Sequence, residues 1–222
     1  MVPPPKSGIA RSAAAFSLVE MAAVTAILAT LMTAGIGLLT GTGTRSRKAG
    51  TDLLAGLIEQ ARTTAITSRS QVVLAIAEPG DFPAGDERCR IGLFQVDVEW
   101  PDASTTPSPL NCTLLNRWQT LNTGIALIPG DVNGVANPLD QPEVTIAYGA
   151  TKNLSVKVHV IAFNSCGGLH YPAGSTPIAI RIAEGGYRGG RATPNKRGSQ
   201  QSITENRLKI GRVTARPYRS DG

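Results

Sequence analysis

Hydrophobic and polar positions change their period twice along the chain. From Phe16 to Leu39 the residues are apolar almost without interruption and carry one charge, Glu20. A helix over those positions is roughly 36 Å long, enough for the hydrocarbon core of a bilayer, so a spanning helix is expected over 16–40. Gly35, Gly37, Gly41 and Gly43 crowd its far end. Each weakens a helix by about 1 kcal/mol relative to Ala, which suits a hinge, and each equally lets helices approach closely. After the basic cluster Arg45, Arg47 and Lys48, apolar residues return at spacings of one, three and four: Leu53, Leu54, Leu57, Ile58, Ala61, Ala65 and Ile66. With Asp52, Glu59, Gln60, Arg62 and Thr63 on the other side, this stripe predicts an amphipathic helix over 41–70 that lies against a sheet.

Downstream of Ser70 the period shortens to two. Strands are expected at Gln71–Ala77, Ile91–Glu99, Leu114–Leu121, Ile125–Ile128, Glu143–Tyr148, Ser155–Phe163, Pro177–Ala183 and Arg207–Thr214. In the sixth of these Val156, Val158 and Val160 share one face and Lys157 and His159 the other, which makes His159 an outward position. The predicted class is α+β: a long N-terminal helix packed on an antiparallel head, residues 71–222, of about eight strands in two sheets or one strongly curved sheet. Residues 78–112, rich in Pro, Asp and Ser, and residues 184–205, rich in Gly, Arg and Asn, read as exposed loops. No internal repeat is visible.

Composition sharpens this picture in two places. The net charge of the 222 residues is +6, and it is concentrated. Residues 181–222 hold ten Lys and Arg against three acids, so the rest of the chain is within one charge of neutral. A basic segment of that kind suits a polyanion, and equally an acidic partner surface or a solvated tail. The second place is Cys89, Cys112 and Cys166, which form no Cys-x-x-Cys pair. In an oxidising compartment one disulfide is expected, with Cys89 and Cys112 as the preferred pair because they flank one insertion-like segment; three reduced thiols are the alternative.

Chemistry is sparse. With only His159 and His170 beside those cysteines, no zinc site is expected. No nucleophile–base set is suggested. Asp131-Val-Asn-Gly has part of a calcium-loop spacing, but its twelfth position is Pro142 and the nearest Glu is Glu143. Gly185-Gly-Tyr-Arg-Gly-Gly-Arg lacks the strand–loop–helix context of a phosphate loop. No metal, cofactor or catalytic residue is predicted, and the chain is not expected to be an enzyme.

The N-terminal order is unusual. Residues 1–15 carry Lys6 and Arg11, three successive prolines and no acid, and the small residues Ala13-Ala14-Ala15 precede the apolar run where a secretory signal would place them after it. This junction, followed by Phe16 and an acid four residues on, resembles that of type IV prepilins, with Ala15 where the family usually has Gly. The resemblance implies that residues 1–15 are a leader removed by prepilin peptidase and that Phe16 becomes the N-methylated terminus. It also implies that Glu20 meets the amine of a neighbouring subunit during assembly. Positive residues on the leader side place the head outside the cytoplasm. Ala61-Arg-Thr-Thr-Ala-Ile, Trp118-Gln-Thr-Leu-Asn-Thr-Gly-Ile, Phe163-Asn-Ser-Cys-Gly-Gly and Ile210-Gly-Arg-Val-Thr are similar, in that order, to segments of the H-type pseudopilin and T-type minor-pilin group.

That group implies a minor subunit, single-pass in a bacterial inner membrane with a periplasmic head, of a type II secretion pseudopilus or a type IV pilus. Its partners are other pilin-like subunits, the peptidase, an inner-membrane assembly platform, and lipid around residues 16–39. A filament-forming structural pilin is one alternative. A DNA-uptake pilin is another, using Arg188, Arg191, Lys196, Arg197, Arg207, Lys209, Arg212 and Arg216, with Tyr187 and Tyr218 available to stack on bases.

Overall fold

The computed structural model describes residues 18–40, 42–81, 88–105, 109–131, 134–197 and 202–220. The chain divides into two compact units, one up to Thr42 and one from Gly43. In the first, helix α1 runs Leu18–Thr40 and passes through Gly35 and Gly37 as regular helix. Among the described residues no helix is long and apolar enough to cross a membrane, so the structure lends the spanning expectation no support.

In the second unit, helix α2 spans Thr42–Ser68 and buries Leu54, Leu57, Ile58, Ala61 and Ala65, five members of the expected stripe. Arg69 ends it in the left-handed region (φ 51°), and the Ser70 amide donates back to the Ala65 carbonyl, a helix stop of the Schellman kind. The chain enters strand β1 two residues later.

Among the described residues fourteen strands follow: β1 Val72–Ala77, β2 Arg90–Val96, β3 Leu110–Leu114, β4 Gln119–Thr120, β5 Ile125–Ile128, β6 Val144–Tyr148, β7 Leu154–Phe163, β8 Leu169–Tyr171, β9 Ile178–Arg188, β10 Arg191–Pro194, β11 Lys196–Arg197, β12 Ser202–Ile203, β13 Glu205–Ile210 and β14 Pro217–Ser220. Strands β1, β2, β3, β6 and β7 pair in that order, and β7 pairs again with β1, which closes a five-strand ring. Within it β3 and β6 are parallel and the other pairs antiparallel. A second sheet has the order β10-β9-β13-β14, with β5 also on β9. The head thus has both arrangements that the sequence left open, a strongly curved sheet and a separate second one.

Two apolar cores result. Val73, Ala75, Phe94, Leu110, Cys112, Val144, Ile146, Val158 and Val160 fill the ring. Val72, Leu74, Ile76, Ile91, Leu93, Ile161 and Phe163 leave its outer face to meet α2 and the second sheet's Leu127, Ile178, Ile180, Ile182, Leu208 and Ile210. β1 is buried on both faces, which is why Val-Val-Leu-Ala-Ile-Ala shows no polar alternation.

Several boundaries differ from expectation. Of the strand expected over 114–121 only the last residue of β3, Leu114, and the two residues of β4 are strand. Between them Asn116 turns inward, its Oδ1 accepting from the Leu93 amide at 3.0 Å in place of a backbone partner. The expected loop 78–112 contains β3 and the buried Trp100, whose indole N–H donates to the carbonyls of Asp102 and Thr105. The expected loop 184–205 holds the end of β9 and strands β10 to β12. Its Gly-rich run is the β9–β10 hairpin: Gly189 and Gly190 have φ of 56° and 80°, as a two-residue primed turn requires. It is not a phosphate loop.

Candidate assembly surface

Twelve consecutive residues of α1, Val19 to Thr30, are exposed, more than three helical turns. Val19, Met21, Val24, Ile27 and Leu28 are each at least half exposed. The two threonines on this stretch turn their hydroxyls inward along the helix, Thr25 to the Met21 carbonyl at 2.9 Å and Thr30 to that of Ile27 at 2.8 Å. Each satisfies its donor within the helix and shows a methyl group outward. Glu20, also exposed, is the one charged side chain in an apolar cylinder. Such a surface is expected to be covered in the working molecule. Ala15 and Phe16 lie outside the described residues.

In the second unit the first turns of α2 meet the head through polar groups. Arg47 Nη1 donates to Glu184 Oε1 at 2.9 Å, with side chains only 12% and 3% exposed. Arg47 Nε donates to Asn206 Oδ1 at 3.0 Å, and Asn206 Nδ2 donates to Thr51 Oγ1 at 3.0 Å. Thr51 Oγ1 in turn donates to the Arg47 carbonyl at 2.8 Å. Neither Arg47 nor Glu184 was singled out from the sequence, although a signal existed. Extending the inward run Ile178, Ile180, Ile182 by two places lands on Glu184.

The basic segment is not one surface. Arg188 and Arg191 are exposed at the base of the β9–β10 hairpin turn, and Lys196 and Arg216 are exposed elsewhere. Arg197 belongs to β11. Arg207 and Lys209 share the outward face of β13, but Arg207 Nε is held by Glu205 at 2.8 Å, and Arg181 Nη2 holds the same carboxyl at 2.7 Å. Burial pushes the Glu205 carboxyl up, and the hydrogen bonds from Arg181 and Arg207 outweigh it, leaving the group below the usual carboxylate range. Arg212 donates to the carbonyls of Thr176 and Pro172, so its guanidinium ties a loop down. Arg219 pairs with Asp52 on α2. Tyr187, expected to be available for stacking, is buried and its hydroxyl accepts from the Leu127 amide at 3.1 Å.

The preferred disulfide is overturned. All three cysteines are free, Cys89 and Cys112 buried and Cys166 exposed. The Cys89 carbonyl accepts from the Leu121 amide at the first end of β2, whereas Cys112 is opposite Val96 at the other end. Seven residues of strand separate those ends by about 23 Å, far beyond disulfide reach. The two thiols also sit in different cores, Cys89 outside the ring and Cys112 within it. Burial pushes each up to about 12. His159, half-buried on β7, has Nδ1 at 3.1 Å from the Gln141 carbonyl. Among the described residues no three His, Cys, Asp or Glu cluster closely enough to hold a metal ion, and the Asp131 segment lies partly outside them.

No protein-family model matches the chain, and no curated protein matches it. One solved structure does, the type IV minor pilin FimU of Pseudomonas aeruginosa. The two are 12% identical with a TM-score of 0.39, over 81% of this chain and 92% of that one. A TM-score of that size is too low to fix a common fold.

Proposed function

We propose that the chain is a pilin-like subunit, cut between Ala15 and Phe16 and built into a pilus or pseudopilus through α1. The observation that carries this reading is the exposed apolar surface from Val19 to Thr30, with Glu20 its one charge. Copies of the same helix, packed side by side, supply the cover that water cannot. In that packing the Glu20 carboxylate pairs with the new Phe16 amine of an adjacent subunit, which offsets the burial of both charges and sets the axial register. Until assembly, residues 16–39 rest in the inner membrane with the head in the periplasm, as the prepilin-like order of the N-terminal residues implies. Prepilin peptidase and the assembly platform are the other partners. The role is structural, not enzymatic, and the order of motifs favours a minor subunit.

Intact-mass measurement of the membrane-extracted protein tests the cleavage: a chain beginning at Phe16 is expected, and one beginning at Met1 overturns it. Glu20→Ala should reduce incorporation into sheared filaments or purified pseudopili severalfold without altering the head. Unimpaired incorporation would remove the pairing role.

A further inference from the structure

We propose that Arg47 and Glu184 form a clasp that holds the start of α2 on the head as a cooperative unit of its own, separate from the apolar core. The helix is docked by two kinds of chemistry. From Leu54 onward it is held by large buried side chains. Between Gly43 and Leu53 the buried positions are Gly50 and Thr51, and the groups reaching across are polar. Segments with few buried apolar contacts open at lower free energy than the core. Here the opening is opposed by a charge pair whose members are both withdrawn from water, and losing either partner strands the other.

The fit is close as well as charged. A Cβ on Gly43 would lie 2.8 Å from the Glu184 carboxyl carbon, so the helix backbone approaches this carboxylate closely. Glu184 is anchored on its own strand, its amide donating to the Thr204 carbonyl and its carbonyl accepting from the Asn195 amide. The clasp lies within the first turns of the second unit, which begins at Gly43. This inference goes beyond the assembly reading, and its test needs no filament, so either can fail without the other.

Hydrogen exchange followed by mass spectrometry on the full chain in detergent micelles reads it directly. Glu184→Gln should speed exchange of the amides over 44–52 by about tenfold or more, the size of a lost charge-assisted hydrogen bond, with 55–66 and β1 unchanged. Unchanged exchange over 44–52, or equal acceleration across 55–66 and β1, overturns it. Should Glu184→Gln fail to fold because Arg47 is left buried and unpaired, the neutral double variant Arg47→Gln/Glu184→Gln serves. Fast exchange confined to 44–52 supports the clasp. A double variant that also fails to fold overturns it, because a separate unit does not carry the stability of the head.

Discussion

Helices α1 and α2 are similar in length, 23 and 27 residues, and face their surroundings in opposite ways. From Val19 to Thr30 α1 is apolar on every side but for Glu20, and exposed throughout. In α2 the apolar residues form a stripe, and that stripe is buried. A stripe can be satisfied within one chain because a single sheet covers it, whereas a helix apolar all round needs cover on all sides. The first helix is therefore written for partners and the second for its own head.

The largest test of that contrast is Leu54→Ala against Ile27→Ala. Leu54 is fully buried, so its truncation should destabilise the head by about 2–5 kcal/mol in a thermal melt followed by circular dichroism. Ile27 is 59% exposed, and its truncation should leave that melt unmoved while weakening incorporation into filaments. A head equally sensitive to both would break the contrast.

Next come two glycines on α2. A Cβ at Gly50 would lie 2.2 Å from the Ile125 Cδ1 in the core, so Gly50→Ala should cost about 1–3 kcal/mol through overpacking. At Gly56 a Cβ meets nothing within 4 Å, and Gly56→Ala should stabilise by about 0.5–1 kcal/mol. One substitution with opposite signs six residues apart sharpens the division between the docked and open faces of α2. Smallest is Asp52→Asn, which breaks the exposed pair with Arg219. Side chains about half exposed predict a change within about 1 kcal/mol, and a larger shift in the melt would show that surface charge helps to hold α2.

These contrasts also explain what the sequence disclosed. Helical spacing located α2 by its one buried stripe, and short unbroken apolar runs located β1 and β5, which are buried at every position. The same patterning lost the far half of β9, where Gly185 and Gly186 look like loop residues. A Cβ on Gly185 would lie 2.4 Å from the Thr193 carbonyl oxygen of β10, so this glycine marks close strand approach. It also misjudged charge. Arg207 and Arg212 read as open cations; Glu205, two places before Arg207 on the same face of β13, was a local signal for the first, whereas the partners of Arg212, two carbonyls of the 172–176 loop, are set by the fold alone. The same holds for Cys89 and Cys112, near in sequence and at opposite ends of one strand. For any binding of duplex DNA, Arg188 and Arg191 remain the better positions to mutate.

Closing β7 back onto β1 has a consequence for the proposed packing of this chain beside copies of itself. A sheet left open presents a row of unsatisfied amides and carbonyls, an invitation to zip onto the next chain in the wrong way. The ring spends those groups internally and leaves free edges to the second sheet, at β10 and β14.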